Sequence, residues 1–415
     1  MMAAGARSAA GPTTPPDRRP GRIPPLAITA YTVSTALGAG LAANLQALRT
    51  RRSGLRPNDF TEPPLETWIG RIDCLETAPL PQPFAHWECR NNRLAWLALQ
   101  QDGFMDAVAG VQARHGPERV AVFVGTSTSS IGASEAAYRQ LTPEGHYPES
   151  LRRPIIHTAH SLGDFVQRAL GLTGVCATIA TACSSSAKVF AQAERIIRCG
   201  IADAAVVGGV DTLCASVLFG FNSLELISAE PCRPFDVSRR GISIGEAGGF
   251  ALLERDGPGP WLLGYGESSD AHHMSSPHPE GLGARLALGD ALARSGLAAA
   301  DIGYINLHGT ASARNDEVEA RLIAELFPAS TRASSTKGWT GHALGAAGIV
   351  EAIISLLAID DGLAPGTLNT TELDPACGPQ IRIDNETLAH RFALSQSFGF
   401  GGSNCVLALG NERVA

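Results

Sequence analysis

Residues 175–197 read VCATIATACSSSAKVFAQAERII, and this stretch predicts a strand that leads into a helix. Residues 175–179 are mostly apolar or β-branched, which is typical of a buried strand. Residues 187–197 place apolar side chains at helical spacing, so they predict an amphipathic helix. The side chains on its predicted buried face are Phe190, Ala193, Ile196 and Ile197. A run of small residues that contains Cys183 connects the two elements.

Strands and helices alternate over most of the remaining chain. Further strands are predicted at residues 26–33, 120–124, 204–207, 261–265 and 304–307, and further helices at residues 41–48, 285–295 and 317–326. Because the strands are largely apolar, helices must cover both faces of each sheet. The sequence therefore predicts an α/β fold. It contains no repeat strong enough to establish an internal duplication.

Two irregular segments divide the chain. Residues 1–25 are rich in Ala, Gly, Pro and Arg and lack periodicity, which predicts a disordered tail. Residues 255–260, RDGPGP, predict a linker. We therefore expect an N-terminal half at residues 26–255 and a C-terminal half at residues 256–415.

Composition excludes several classes of protein. The 415 residues carry a net charge of −7, which argues against a dedicated nucleic-acid binder. The longest apolar run, residues 349–359, contains Glu351 and is too short to span a membrane. The nine cysteines form no CxxC pair, so the spacing of a zinc site is absent and no metal is expected. Reduced cysteines and the lack of an apolar signal-peptide core predict a cytoplasmic protein.

Cys183 is the first candidate for chemistry. It lies in TACSSS, residues 181–186, at the predicted start of a helix, where free N–H groups and the helix dipole favour a thiolate over a thiol. Its small neighbours leave room for a thioester substrate. Because free cysteines are most often buried structural residues, this segment alone leaves both interpretations open.

Two histidine-containing loops strengthen the catalytic interpretation. His308 follows an apolar strand in NLHGT, residues 306–310, and His342 ends STKGWTGH, residues 335–342, just before a segment rich in Gly and Ala. Either histidine alone is more often structural than catalytic. A cysteine and two loop histidines, all beside small residues, are typical of a nucleophilic site.

A glycine-rich loop, SFGFGGSN at residues 397–404, is the fourth candidate. Its glycines permit positive φ and expose backbone N–H groups, as an oxyanion site requires. A phosphate-binding loop or a simple turn is the alternative. A nucleotide loop is disfavoured because the segment lacks GK[ST] and opens no amphipathic helix.

In this order, the four motifs resemble those of the β-ketoacyl-acyl-carrier-protein synthase family, in particular its elongating members with a Cys-His-His site. TACSSS resembles the nucleophile motif, NLHGT the first histidine motif, TKGWTGHALGAAG the motif of the lysine and second histidine, and FGFGGSN the closing loop. The similarity extends over about residues 26–412. The combination is specific to the family, whereas no single motif is.

The resemblance implies a role for each motif. Cys183 would be acylated by a carrier-protein thioester, and the backbone N–H groups of Cys183 and Phe400 would form the oxyanion hole. His308 and His342 would hold the malonyl thioester and stabilise the enolate that decarboxylation leaves. Phe400 would also gate the acyl pocket, which residues 215–221 would help to shape.

The same resemblance implies supporting roles for further residues. Lys337 matches the lysine of the family, and Glu351 lies where its acidic partner is expected. Thr310 and Ser312 fall where hydroxyl groups meet the phosphopantetheine arm, although the second of these is normally Thr. The remaining substrate-binding positions, all in the closing loop, are Phe398, Gly399 and Gly401.

The resemblance also implies the fold, the reaction and the partners. The fold would be a thiolase-like α/β/α/β/α sandwich of five layers, with two similar halves that share one site. The protein would be an acyltransferase that condenses an acyl-carrier-protein thioester with malonyl-carrier protein to give a 3-oxoacyl product. Acyl carrier protein would be its partner and would supply the phosphopantetheine, so no other cofactor is expected. A homodimer, or a heterodimer with a chain-length-factor-like subunit, is expected.

Residues 311–316, ASARND, depart from the housekeeping fatty-acid enzymes, which usually have Pro at the position of Ala313 and Gly at that of Asn315. Residues 315–316 (ND), together with residues 304–307 (YINL) and 337–339 (KGW), look more like the synthases of aryl-polyene pigment clusters, so fatty-acid and polyene elongation both remain open. A non-condensing chain-length factor is disfavoured by Cys183, and a starter-unit synthase with a Cys-His-Asn site by His342. A Cys-His hydrolase would leave the second histidine unexplained, and a non-enzymatic binding module is the remaining alternative.

Overall fold

A computed structural model describes residues 20–414 of the chain. Most of the predicted tail, residues 1–19, lies outside the described residues. The rest of it, residues 20–25, leads into the first strand, and the backbone N–H of Ile23 donates to the carbonyl of Arg294 at 3.0 Å. Within residues 20–414, every helix falls short of the length and hydropathy that a membrane crossing requires.

Strands and helices alternate as the sequence predicts. The strands are β1 (Leu26–Thr35), β2 (Gly38–Ala39), β3 (Leu55–Pro57), β4 (Trp68–Gly70), β5 (Val120–Gly125), β6 (Cys176–Ile179), β7 (Ala204–Asp211), β8 (Ile244–Gly245), β9 (Ala247–Glu254), β10 (Trp261–Ser269), β11 (Tyr304–Asn306), β12 (Arg332–Ser334), β13 (Leu363–Ala364), β14 (Glu386–Thr387), β15 (Phe392–Gly399) and β16 (Ser403–Gly410). The helices are α1 (Leu41–Arg49), α2 (Arg90–Leu99), α3 (Phe104–His115), α4 (Ile131–Tyr138), α5 (Ser161–Ala169), α6 (Ser185–Arg198), α7 (Ala215–Ser223), α8 (Leu282–Ser295), α9 (Ala313–Leu326), α10 (Lys337–Thr340) and α11 (Ala347–Asp361). Every strand and helix predicted from the sequence is present, with ends that differ by a few residues.

Ten of these strands form two arrays with the same topology, and the arrays are joined where β1 pairs antiparallel with β10. The strand order is β6-β5-β7-β9-β1 in the first array and β12-β11-β15-β16-β10 in the second. If the five strands of each array are numbered 1 to 5 along the chain, both arrays have the spatial order 3-2-4-5-1. In both, the first three strands run parallel and the other two pair antiparallel. The chain therefore consists of two similar halves, although its sequence shows no clear repeat.

Helices cover both faces of each array. Helices α6 and α11 pack between the two arrays and form the central core. Helices α2, α3 and α5 cover the outer face of the first array, and α8 and α9 cover that of the second. This arrangement confirms the five-layered α/β/α/β/α sandwich that the resemblance implies.

The N-termini of α6 and α11 meet at the centre of the molecule. The hydroxyl oxygen of Ser186 accepts a hydrogen bond of 2.9 Å from the backbone N–H of Ile349. A Cβ on Gly348 would lie 2.5 Å from the backbone nitrogen of Ala187, so only glycine permits this approach. The segments that precede the two helices are thereby brought together, and they carry the predicted nucleophile and the second predicted histidine.

Candidate functional site

Cys183 lies in the turn between β6 and α6 and is 5% exposed. Ala182, which precedes it, has a φ of 52°, in the left-handed region that a residue with a Cβ rarely adopts. The hydroxyl of Ser185 accepts from the backbone N–H of Thr181 at 2.9 Å and donates to the carbonyl of Ala182 at 2.6 Å. Local side-chain hydrogen bonds therefore hold a strained turn that presents the thiol.

The sulfur of Cys183 is surrounded by hydrogen-bond donors in a buried position. Its Sγ lies 3.1 Å from Nε2 of His342, and the backbone N–H of Phe400 also donates to it. Burial raises the pKa of Cys183 to about 11, although the charge of Lys337 and the N–H of Phe400 lower it. The expectation that the helix start favours a thiolate is therefore wrong for the resting protein, because burial holds the pKa of the thiol above its usual range. The resting form is the thiol.

The backbone of His342 is fixed by the short strand β8. Its N–H donates to the carbonyl of Ser243 at 2.8 Å, and its carbonyl accepts from the N–H of Gly245 at 3.0 Å. Burial, followed by the charge of Lys337, lowers the pKa of His342 well below its usual value, so the ring is neutral. Within the described part of the chain, the buried Nδ1 has no hydrogen-bond partner. A hydrogen there would be an unsatisfied buried donor, so the hydrogen is favoured on Nε2, which faces the sulfur.

His308 follows β11 and is 3% exposed. Its backbone N–H and that of Gly309 donate to the two carboxylate oxygens of Glu319, at 2.7 and 2.8 Å. Burial and the charges of Lys337 and His342, in that order, lower the pKa of His308 well below its usual value, so this ring is also neutral. Sequence analysis missed Glu319, because only the tertiary fold brings this position of α9 back to the histidine loop.

Lys337 and Glu351 form a buried ion pair beside the histidines. The ammonium group of Lys337 also donates to the carbonyl of His308 and lies 3.5 Å from its Nδ1. A donor at Nδ1 leaves the ring hydrogen of His308 on Nε2. Burial raises the pKa of Glu351 to about 7, and the charge of Lys337 opposes this effect. The ion pair therefore sets the orientation and tautomer of His308.

A cavity of about 420 Å³ opens onto the cysteine and the two histidines. The predicted site residues that line it are Cys183, His308, Thr310, Ser312, His342, Phe398, Gly399 and Phe400. The hydroxyl oxygens of Thr310 and Ser312 lie 2.9 Å apart. The ring of Phe400 stacks on that of Phe221, with 5.4 Å between their centroids. Phe221 belongs to the stretch expected to shape the acyl pocket, and it also lines the cavity.

The closing loop is tied to the loop that follows β10. The N–H of Gly401 donates to the carbonyl of Met274 at 2.7 Å, and the N–H of Asp270 donates to the carbonyl of Gly402 at 2.9 Å. The side-chain amide of Asn404 donates to the carboxylate of Asp270 at 2.9 Å. Gly401 is exposed and lies outside the lining of the cavity, unlike the other predicted glycine of this loop. Asp270 lines the cavity but was not identified from the sequence.

The three central side chains could also hold a metal ion. The Sγ of Cys183 and a ring nitrogen of each of His308 and His342 lie within 4.8 Å of one another. Zinc accepts such a donor set. However, metal-bound imidazoles usually donate their other N–H to an acceptor, whereas Lys337 places a cation 3.5 Å from Nδ1 of His308. The arrangement fits a pair of hydrogen-bond donors better than a metal centre, and the absence of a metal from the reaction stays a prediction.

Comparisons with known proteins cover both halves of the chain. The family models described as the N-terminal and C-terminal domains of beta-ketoacyl synthase match residues 91–257 and 261–371. The mitochondrial 3-oxoacyl-[acyl-carrier-protein] synthase of Arabidopsis thaliana is 41% identical over 260 residues, which are 57% of this chain and 56% of that protein. Nodulation protein E of Rhizobium meliloti is 34% identical over 304 residues, which are 70% of this chain and 75% of that protein. The aligned segment thus spans little more than half the length of the first relative.

Similarity to solved structures extends further along the chain. A ketosynthase from Xenorhabdus doucetiae, solved in complex with its chain length factor, is 37% identical and has a TM-score of 0.85. The match covers 93% of this chain and 98% of that one. The similarity therefore extends over most of the chain.

Proposed function

Because this chain belongs to the beta-ketoacyl synthase family, we propose that it is an acyltransferase that condenses an acyl thioester with a malonyl thioester, both carried by an acyl carrier protein. The products are a 3-oxoacyl-carrier thioester, CO₂ and free carrier thiol. One observation carries the proposal: a thiol and two neutral imidazoles form a buried group that opens into a cavity.

The first half-reaction transfers the acyl group to the sulfur of Cys183. The thiol loses its proton to water, and the ring N–H of His342 and the backbone N–H of Phe400 stabilise the thiolate. The thiolate attacks the thioester carbonyl, and the backbone N–H groups of Cys183 and Phe400 stabilise the resulting oxyanion. The carrier thiolate then leaves and takes a proton from water, while the acyl group stays on the enzyme.

The second half-reaction joins the two carbon chains. With the sulfur acylated, His308 and His342 donate from Nε2 to the thioester oxygen of the malonyl group. As CO₂ leaves, the electrons of the broken carbon–carbon bond form an enolate, whose oxygen these two donors stabilise. The enolate carbon attacks the acyl carbonyl, and the thiolate of Cys183 leaves. Neutral imidazoles suit this task because they donate a hydrogen bond without giving up the proton.

Release of CO₂ from radiolabelled malonyl-carrier protein tests this function. A condensing enzyme should release labelled CO₂ and, when an acyl-carrier thioester is present, form a 3-oxoacyl-carrier product. A hydrolase would instead release malonate, and a binding module would leave the substrate intact. Malonate release without CO₂ would therefore contradict the proposal.

We propose further that the growing chain is a conjugated polyene. Residues 304–307, 315–316 and 337–339 support this pathway, and so does the similarity to a ketosynthase that was solved with a chain length factor. The stacked rings of Phe221 and Phe400 offer a flat apolar surface that a planar chain can lie against. Ordinary fatty-acid elongation is the second candidate, and the 41% identity to the Arabidopsis enzyme favours it.

The proposed partners are an acyl carrier protein and a second subunit, either another copy of this chain or a chain-length-factor-like protein. Native mass spectrometry of the purified protein distinguishes the two dimers by mass. The expectation that the reaction needs no cofactor beyond the phosphopantetheine of the carrier stays a prediction, and so does the cytoplasmic location.

A further inference from the structure

We propose that Arg240 and Arg314 bind the phosphate of the phosphopantetheine arm at the mouth of the catalytic cavity. Both side chains are exposed and both line the cavity. Across residues 20–414, neither guanidinium group makes a hydrogen bond or an ion pair, so both are available to an anion. The inference rests on the proposed function, because it assigns a subsite to one part of the carrier-borne substrate.

The two arginines belong to one rim because hydrogen bonds join the segments that carry them. The residues on either side of Arg240 both bond to residues 311–313, where α9 begins. The guanidinium of Arg239 donates to the carbonyl of Ala313 at 3.1 Å. The backbone N–H of Gly241 donates to the carbonyl of Ala311, also at 3.1 Å. The segment before the second arginine is therefore fixed against the first.

The chain from His308 to Arg314 runs from the reactive centre to the surface. The exposed fraction of the residue rises from His308 (3%) and Thr310 (5%) to the half-buried Ser312 and the exposed Arg314. All four residues line the cavity. These residues span at most ~20 Å if the segment is fully extended. The phosphopantetheine arm has its thioester at one end, its phosphate at the other, and two amides between them. When the thioester of the arm lies at His308, the amides lie near the hydroxyls of Thr310 and Ser312, and the phosphate lies near Arg314.

Among the described residues that line the cavity, Arg240 and Arg314 are the two guanidinium groups that make no ion pair. Arg239 is paired with Asp374 at 2.7 Å. Asp270 is a buried acid of the same lining that accepts from the neutral amide of Asn404, so it weakens the positive potential of the mouth. Glu225 is an exposed acid in the same lining, so it weakens the positive potential without neutralising both arginines. A guanidinium group matches a phosphate because two of its N–H groups can bind two phosphate oxygens.

Substrates with and without the phosphate test this assignment. The enzyme, with any subunit that copurifies, is assayed for CO₂ release from malonyl-phosphopantetheine and from malonyl-pantetheine. Arg240→Ala and Arg314→Ala should each raise the KM for the phosphorylated substrate about fivefold, which is the upper effect of one exposed ion pair, and should leave kcat unchanged. Neither variant should change the KM for malonyl-pantetheine. The fivefold effect should shrink at high salt because exposed charges are screened.

Arg321→Ala is the matched control. Arg321 lies on the same helix as Arg314 and is similarly exposed, but it pairs with Glu317 at 2.8 Å and does not line the catalytic cavity. This variant should leave the KM of both substrates unchanged.

Two results would overturn the assignment. Equal losses with both substrates would mean that the arginines support the fold of the mouth. A loss with malonyl-carrier protein but not with free malonyl-phosphopantetheine would mean that they contact the body of the carrier. Calorimetric titration with phosphopantetheine and with pantetheine separates this inference from the proposed function. Binding that depends on Arg314 and on the phosphate would support the subsite even if the wild-type protein released no CO₂.

Discussion

Alanine substitution of His308 and of His342 should slow different steps, because the two rings stand in different relations to the sulfur. Nε2 of His342 lies 3.1 Å from Sγ of Cys183, whereas no hydrogen bond joins His308 to that sulfur in the described structure. Both rings reach the space where the malonyl thioester must lie. His342 should therefore act in both half-reactions and His308 only in the second.

The expected sizes follow from these contacts. Loss of one donor to the enolate oxygen should lower the rate of malonyl decarboxylation by about 10²–10³ in either variant. His342→Ala also removes a hydrogen bond to the thiolate, which is worth about 1.5–3 kcal/mol, so acylation of Cys183 should slow by at least about tenfold. His308→Ala should leave acylation within about threefold of the wild type.

The two half-reactions can be measured separately. Intact-protein mass spectrometry at timed quench points gives the rate of acylation by an acyl-carrier thioester, and labelled CO₂ gives the rate of decarboxylation. His390→Ala is the control for loss of a buried imidazole, since His390 is 8% exposed and lies outside the cavity lining. Equal losses of both rates in His308→Ala, or normal acylation in His342→Ala, would refute the assigned geometry.

Three further predictions concern the loop, the thiol and the substrate. A Cβ on Gly245 would lie 2.2 Å from the carbonyl oxygen of Thr340, so Gly245→Ala should displace the loop of His342 and lower the free energy of unfolding by about 1–3 kcal/mol, measured by urea denaturation; unchanged stability and activity would contradict this. Because the pKa of Cys183 is raised to about 11, its rate of alkylation by iodoacetamide should rise about tenfold per pH unit from pH 7 to 9, and a plateau below pH 8 would contradict a resting thiol. In competition on one carrier protein, a conjugated primer should be elongated faster than a saturated primer of equal length, since a rigid chain loses little conformational entropy on binding. Preference for the saturated primer would favour fatty-acid elongation.

Local sequence patterns predicted the strand–helix junction at Cys183 because apolar periodicity and small residues are both local signals. They missed β9, β15 and β16. Strand β9 reads AGGFALLE, and its two glycines weaken any strand prediction. The structure explains one of them, since a Cβ on Gly248 would lie 3.3 Å from side-chain atoms of Ala98 and Leu94. The closing loop also appeared to be one irregular segment, although Gly399 ends β15 and Asn404 lies in β16.

Long-range contacts explain the other differences. Glu319 holds two backbone N–H groups of the first histidine loop, but nothing in the sequence near it distinguishes it from other acidic helix residues. The internal duplication is visible only in the order of the strands, because two halves can keep a topology after their sequences have diverged. The protonation of Cys183 was predicted wrongly because a helix dipole can be inferred from sequence, whereas the burial that opposes it depends on the packing of both halves.

We propose that Cys183 carries the acyl group between the two half-reactions. The most direct test treats the wild-type protein and Cys183→Ser with an acyl-carrier thioester, adds malonyl-carrier protein, and follows the protein and the carrier by mass spectrometry with peptide mapping. The acyl mass should appear on the wild-type peptide that contains residue 183 and should disappear as the 3-oxoacyl-carrier product forms. The serine variant should stay folded and form almost no product. An acyl group on another cysteine, or an acyl group at residue 183 that persists when malonyl-carrier protein is added, would contradict the proposal.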